Sequence, residues 1–368
     1  MADMRLKVGF DSIQDPRHLH ALLDYKILTE IHQVASIAPE WDELLSKSRC
    51  NRAFNCSKWY LATIELAPRL QPLVFIARRT GVLAGVLPLW LDVNKRQARF
   101  GDYYSDHQDI IAADEDSEAI TGLLDLALQG AGAYDRLVPG QVRHDSNYVR
   151  AAKALGLGEA TDEFFSPGKA LIYAVVDLTC GYDGYMKTLG QQFRFNLNCD
   201  FKRAGRDGLV VCELTPAELR PELLAETFLS LHLSRFGDRS DFKSAESWVQ
   251  NLFPSLFAEG RMRAFAVLDK SRIVGIDLAA VTRFGMFAYN VGFLPEMRRY
   301  APGKLMIHQG IRQACLEGMA EYDLGWWGQD HKAHWRPTGR EVGQIQFTTR
   351  SSLQNSRGPA KVVPYLND

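Results

Sequence analysis

The eleven residues GWWGQDHKAHW, 325 to 335, bring three tryptophans, two histidines, a lysine and an aspartate together behind an apolar run. His331 is suited to carry a proton, because an imidazole has the unshifted pKa nearest neutral pH. Lys332 offers a cation for phosphate or substrate, or a partner for Asp330. Just upstream, Asp323, Gly325 and Trp327 alternate with Tyr322, Leu324 and Trp326, the period of a strand. A carboxylate so flanked must be paired or catalytic. Trp326, Trp327 and Trp335 can wall an alkyl chain or stack on a sugar, although most tryptophans fill cores. His308 has Lys304 four residues before it and Arg312 four after it, charges that keep an imidazole neutral and leave it a base.

Such residues need elements to hold them. LVFIAR (73–78) and VLAGVLPLWL (82–91) read as two strands around a glycine-containing turn. The pattern recurs in MRAFAVLDKSRIVGIDLAAV (262–281) at an offset of 190, matching Phe75 with Phe265 and Gly85 with Gly275. A helical stretch and a short strand then follow in both places, and Tyr134-Asp135 matches Tyr322-Asp323 at an offset of 188. Internal repetition is a fold-level signal. It predicts an α/β (α+β) chain of two tandem units, 1–180 and 181–368, each a mixed central sheet flanked by helices. The stretch 182–208 reads as a helix exposing Arg194, Lys202, Arg203 and Arg206, and Leu223, Leu224, Phe228, Leu231, Trp248, Leu252 and Leu256 have core spacing on two further helices.

The two copies differ where their helices begin. A helix start presents unpaired N–H groups that attract anions. In the first copy it lies in AADEDSEA, whose Asp114, Glu115, Asp116 and Glu118 would repel a phosphate. In the second it lies in RRYAPGKLM, where Pro302 opens the helix, Gly303 admits a ligand, and Arg298, Arg299 and Lys304 supply charge.

Composition bounds the rest. With 368 residues, 46% hydrophobic residues and a net charge of -1, the chain suits a two-domain globular protein and has no global field for nucleic acid. No apolar run reaches the ~18 residues of a membrane span, so a cytoplasmic protein is expected. Six cysteines without metal-ligand spacing predict reduced thiols and no metal site.

Two blocks carry a family resemblance. GFLPEMRRYAPGKLMIHQGI (292–311) and EYDLGWWGQDHKAHW (321–335) resemble GNAT acyltransferases, in particular the CelD/BcsL-like branch related to FemAB double-GNAT proteins. LHLSRFG (231–237), NCSKWY and GVLPLWL add to it, over about 30–350. The resemblance implies acyl-CoA as cosubstrate, with its pyrophosphate on the Gly303, Lys304 and Leu305 amides, and an oxyanion donor from the splayed strand AYNVGF (288–293), where Gly292 would permit a bulge. It implies donor binding and catalysis in the second domain and an acceptor role for the first. YYSDHQD (103–109) is similar to a family segment that would bring Asp106 and His107 to the acceptor amine. The sequence departs from the family at Trp326, Trp327, Gly328 and His331 and keeps Lys332 and Trp335.

The expectation is therefore an N-acyltransferase acting on a small-molecule or lipid amine of the cell envelope, with a sphingoid-type base slightly favoured over an amino sugar. Peripheral contact with the inner-membrane face fits such an acceptor, and no nucleic-acid partner is expected. The rival readings are a FemAB-like aminoacyl transferase fed by charged tRNA and a non-catalytic glycan- or lipid-binding protein.

Overall fold

A computed structural model describes residues 23–48, 52–101, 104–113, 116–130, 132–157, 170–328 and 330–352. The chain divides into two compact units: one runs to Ala170 and resumes at Val342, and the other is Leu171–Glu341. This differs from an even cut at 180/181 because residues 171–177 hydrogen-bond to the strand 321–326, and because the chain after 341 adds its strands to the first unit.

In the first unit, chain order is β1 (Leu23–Leu28), α1 (Ile31–Ser36), α2 (Ala38–Ser46), α3 (Ser57–Leu66), β2 (Gln71–Arg79), β3 (Val82–Asp92), β4 (Gln97–Arg99), β5 (Ile111–Ala112), α4 (Ser117–Gln129), β6 (Arg136–Val138), β7 (Gln141–Arg143) and α5 (Asn147–Ala154). Its sheet has the order β1-β2-β3-β4-β6, with β5 on β3 and Phe347–Thr348 beyond β6. Leu73, Phe75, Leu87 and Leu89 point from the hairpin into a core closed by Ile120, Leu123 and Leu124 of α4.

The second unit comprises β8 (Leu171–Asp177), α6 (Gly181–Thr188), α7 (Gln191–Arg206), β9 (Leu209–Leu214), α8 (Pro221–Phe236), α9 (Glu246–Ala258), β10 (Met262–Asp269), β11 (Arg272–Val281), β12 (Gly285–Phe293), α10 (Pro302–Leu316), β13 (Glu321–Trp326), α11 (Asp330–Ala333) and, up to Glu341, the first part of β14 (Thr338–Gln344). Its strand order is β14-β8-β13-β12-β11-β10-β9. Leu224, Phe228, Leu231, Trp248, Leu252 and Leu256 are buried as their spacing requires, whereas Leu223 is 38% exposed. The expected helix over 182–208 is two helices, broken at Gly190, whose backbone is extended (ψ 140). Arg194 bridges the break by donating to the carbonyls of Met186 and Lys187.

The repeat is visible in hydrogen-bond register. In each unit a hairpin (β2-β3, β10-β11) precedes two parallel strands joined through a helix (β4 and β6 through α4, β12 and β13 through α10). The hairpin irregularity falls at Ala77/Arg78 in one copy and at Val267/Leu268 in the other, and the turn residues Thr80 and Lys270 are both left-handed (φ 49 and 55). All these positions keep the offset of 190.

Candidate active site

β12 and β13 run parallel, and they are paired only from Gly285 to Phe287 against Glu321 to Asp323. Beyond that they part. On the other side of β12, Leu278 pairs Asn290 while Ala279 pairs Ala288, so the register shifts by one residue at Tyr289 in a bulge. Parting strands expose backbone donors and acceptors that a substrate can use. The end of β12 lies beside the start of α10: a Cβ on Gly275 would meet Phe293 Cβ at 3.3 Å and Pro302 Cβ at 3.7 Å.

Gly292 was expected to permit the bulge, but its role differs. A Cβ there would approach His232 N to 2.4 Å and Leu231 C to 2.6 Å, so the glycine lets α8 lie flush on β12.

At α10, the residue before the helix, Ala301, is left-handed (φ 52, ψ 52), and no side chain caps the first turn. A Cβ on Gly303 would stand in open space. The cradle is narrower than expected. The N–H groups of Lys304 and Leu305 both donate to Ala301 O, at 3.0 and 3.2 Å, and Leu305 is fully buried. This leaves Gly303 as the first-turn amide that the helix does not take, since Pro302 has none. The Lys304 ammonium pairs with the buried Asp200, and Arg299 lies over the Tyr300 ring and donates to its hydroxyl at 2.5 Å. Arg298 is exposed.

Asp323 is fully buried and accepts from Gly325 N at 2.7 Å. It thereby caps the turn at which β13, with Gly325 left-handed (φ 74), leaves the sheet. Lys332 donates from Nζ to Trp326 O at 2.7 Å, closing the loop between β13 and α11. His331 is exposed on α11. The side chain of Asp330 lies outside the described residues.

The tryptophans separate. Trp335 is 2% exposed, in edge contact with Phe193, and its carbonyl accepts from Tyr185; it is a core residue, not a wall. Trp326 is 54% exposed and Trp327 half-buried, next to exposed Leu171 and Ile172 of β8. A Cβ on Gly328 would fall 2.6 Å from the Trp326 indole.

His308 contacts Tyr182 and Phe201 on α6 and α7, and its Nε2 shares a 2.7 Å hydrogen bond with the Tyr182 hydroxyl. Burial, then Arg312, lowers its pKa to about 4, so the ring is neutral as expected, although it is engaged with these two helices.

Three polar side chains near the parted strands escaped sequence reasoning. His232 of α8 is buried among Phe228, Phe236 and Phe242, with Nδ1 2.9 Å from Ser240 Oγ and Nε2 2.9 Å from Asn290 Oδ1. Burial lowers its pKa to about 4. Arg235, one turn on, donates to Val291 O at 3.3 Å and lies over the rings of Phe236 and Phe293. Asp277 of β11, in register with Val291, is 3% exposed; burial raises its pKa to about 8, and Arg235 opposes the shift. The LHLSRFG segment was the one available signal for the first two.

In the first unit, His107 is 3% exposed and left-handed (φ 50), and its carbonyl accepts from Asn55. Asp106 is half-buried in the same turn. His107 lines a small depression with Arg52, Asp109, Arg143 and Ser146. Asp109 is buried there, paired with Arg52 at 2.8 Å, and accepts the amides of Ile110, Asn147 and Tyr148. Tyr103 lies outside the described residues.

Among the described residues, no three His, Cys, Asp or Glu side chains form a group that could hold a metal ion, and no helix is long and apolar enough to cross a membrane.

Residues 191–333, which hold β12, α10 and β13, match the Acetyltransferase (GNAT) domain family. The fold is similar to the crystal structure of FemX (14% identity, 87% of this chain and 98% of that one, TM-score 0.56). It is also similar to the C-terminal domain of a putative lysylphosphatidylglycerol synthetase from Agrobacterium fabrum (13%, 84% and 92%, TM-score 0.51). L-PGS from Bacillus licheniformis is a third such structure (11%, 85% and 91%, TM-score 0.51). No curated protein matches the chain. Residues 191–333 thus mark the second unit as the part of the chain that carries a GNAT-type transferase domain, and both units are mixed sheets flanked by helices.

Proposed function

We propose that the protein is an acyl-CoA-dependent N-acyltransferase of the CelD/BcsL-like branch, acting on a primary amine of a cell-envelope acceptor. One observation carries the reading: within the GNAT segment, β12 and β13 part after three paired positions, beside a helix start that no side chain caps. Arg298 and the Gly303 amide are the donor-phosphate contacts this arrangement supports, with Lys304 held back by Asp200. In the reaction, the neutral amine attacks the thioester carbonyl and the C–N bond forms as the C–S bond breaks. A base takes the amine's proton, and CoA leaves as a thiolate that is then protonated.

His331 is the proposed proton carrier, because it is exposed and Lys332 ties its loop to the end of β13. Asp323 serves by shaping that end. Asp106 and His107 remain the first unit's candidates for the acceptor amine. The exposed apolar group of Trp326, Leu171 and Ile172 favours a long-chain, sphingoid-type amine over an amino sugar, and such an acceptor is met at the inner-membrane face. The fold likeness to FemX and to a lysylphosphatidylglycerol synthetase supports, as the second reading, aminoacyl transfer from charged tRNA.

Release of CoA thiol from short- and long-chain acyl-CoAs, each with sphingoid-base and amino-sugar acceptors, tests the proposal. Turnover of a long-chain donor with the sphingoid base is expected. No turnover with any pair, no thermal protection by CoA, and transfer from aminoacyl-tRNA instead would move the assignment to the second reading.

A further inference from the structure

At the end of β13 the second unit gathers apolar side chains on its surface. Trp326, Leu171 and Ile172 are all exposed. They form one group, because Trp326 stands in register with Tyr173 of β8 and Trp327 N donates to Ile172 O at 2.7 Å. β14 closes the third side: a Cβ on Gly339 would meet Ile172 Cγ2 at 2.9 Å and the Trp327 ring at 3.9 Å. Isolated apolar residues on a surface are ordinary, whereas a contiguous apolar group marks a contact with another molecule or with lipid.

The rim of this group is cationic. From Gly325 to Arg340 the sequence holds Lys332, Arg336 and Arg340 with His331 and His334, against the single acid Asp330. β8 carries no charge before Asp177. Lys332 Nζ donates to Trp326 O at 2.7 Å, which holds a positive charge at the backbone of the exposed tryptophan. His331, His334 and Arg336 are exposed, and His334 is stacked on Phe193 with ring centroids 5.5 Å apart. Arg336 is left-handed (φ 52), which is uncommon outside glycine, and its N–H donates to Ala333 O at 3.1 Å. The turn so made keeps Trp335 in the core and the next residue, Arg336, on the surface.

We infer that this surface is a docking face for an anionic lipid bilayer, with Trp326, Leu171 and Ile172 in the headgroup layer and Lys332 and Arg336 on the lipid phosphates. Charge complementarity chooses the occupant. Tryptophan settles at the headgroup level of a membrane, and lysine and arginine lay their stems along apolar surface while keeping their charge in water. Each basic residue near an anionic leaflet raises partition roughly fivefold. A leaflet without net charge gives the rim no such gain, so the face is selective for anionic lipid. The inference deepens the proposed function and rests on it for the arriving substrate: a long-chain amine reaches the end of β13 from the bilayer rather than from water. The docking itself needs no substrate.

The test measures binding of the full chain to vesicles of phosphatidylcholine, with and without phosphatidylglycerol, by co-sedimentation. Wild type is compared with Trp326→Ser, Leu171→Ser, Arg336→Glu and Arg283→Glu. Arg283 is an exposed cation in the turn before β12, and Ala320 N donates to Phe284 O at 2.9 Å, which places that turn at the start of β13, the end away from Trp326. Wild type is expected to bind the phosphatidylglycerol vesicles at least about tenfold more tightly, with the difference lost in high salt. Trp326→Ser and Arg336→Glu should each weaken that binding about tenfold, Leu171→Ser less, and Arg283→Glu by under about twofold. Lipids brominated in the acyl chain should quench wild-type tryptophan emission more than that of Trp326→Ser. Equal binding to both vesicle types, or folded Trp326→Ser and Arg336→Glu proteins that bind as wild type, overturns the docking face. A lipid-free dimer abolished by the same two substitutions overturns it in favour of a second copy as occupant. Vesicle binding in the expected pattern without turnover of any long-chain amine sustains the docking face and overturns the acceptor reading instead. If one variant does not fold, the other and the quenching decide.

Discussion

The two copies of the repeated unit solve the start of their crossover helix in opposite ways. At α4, Asp116 accepts from Ala119 N at 3.1 Å, and Arg79 pairs with both Asp116 and Glu118 at 3.0 Å. The helix dipole there is satisfied by the chain itself. At α10 no side chain caps the first turn and Gly303 opens onto free space. The strands differ in parallel: β4 ends at Arg99 after its three residues, whereas β12 continues through a bulge to Phe293. One topology thus carries a crossover helix whose start is capped in one copy and uncapped in the other, and the choice lies in a handful of residues at one end of the sheet.

The largest expected break in this comparison concerns Asp277, which stands in the hairpin where the first copy has fully buried Leu87. Its folded pKa, about 8, lies above the ordinary carboxylate value of 3.8. The native state therefore holds a proton that the unfolded chain has lost, so Asp277 costs nothing below about pH 4 and destabilises progressively up to about pH 8. Asp277→Asn is expected to be close to neutral at pH 4 and to stabilise by several kcal/mol at pH 8, at roughly 1.4 kcal/mol per pKa unit. Denaturant unfolding at both pH values measures this, and a difference that does not change with pH would rule it out.

Making the second helix start resemble the first is the next test. Ala301→Asp places a carboxylate at the α10 cap, in a left-handed conformation that Asp tolerates. Affinity for CoA should fall by about a hundredfold, because like charges in contact cost several kcal/mol, while the melting temperature holds or rises. Unchanged affinity in a titration would separate the α10 start from donor binding. His331→Ala should lower turnover about tenfold, the low end for a general acid or base, with folding intact by circular dichroism. The smallest effect is expected from Asp116→Ala in the first copy: about 1 kcal/mol of stability by chemical denaturation, with donor affinity unaltered.

Much of this architecture was legible in the sequence because it is local. The hairpins, the crossover helices and even the matching register irregularities follow a repeat that needs only alternating apolar residues and turn chemistry to be seen. Asp323 could be read as paired or catalytic, and the pairing turned out to be with an amide two residues away. The unreadable parts were long-range. His232 and Asn290 are 58 residues apart, and nothing in either neighbourhood announces the other. Gly292 looked like bulge chemistry because a glycine's need for space has the same signature whether a turn or a neighbouring helix demands it. Lys304 read as a free cation because Asp200 lies on a different helix.

The indole of Trp326 lying across Gly328 means that these two positions cannot vary independently. Any homologue that places a side chain at 328 must swing the aromatic ring away or replace it, which would redraw the apolar surface at the end of β13. Residue 328 is therefore the place to look when asking which relatives keep this apolar surface.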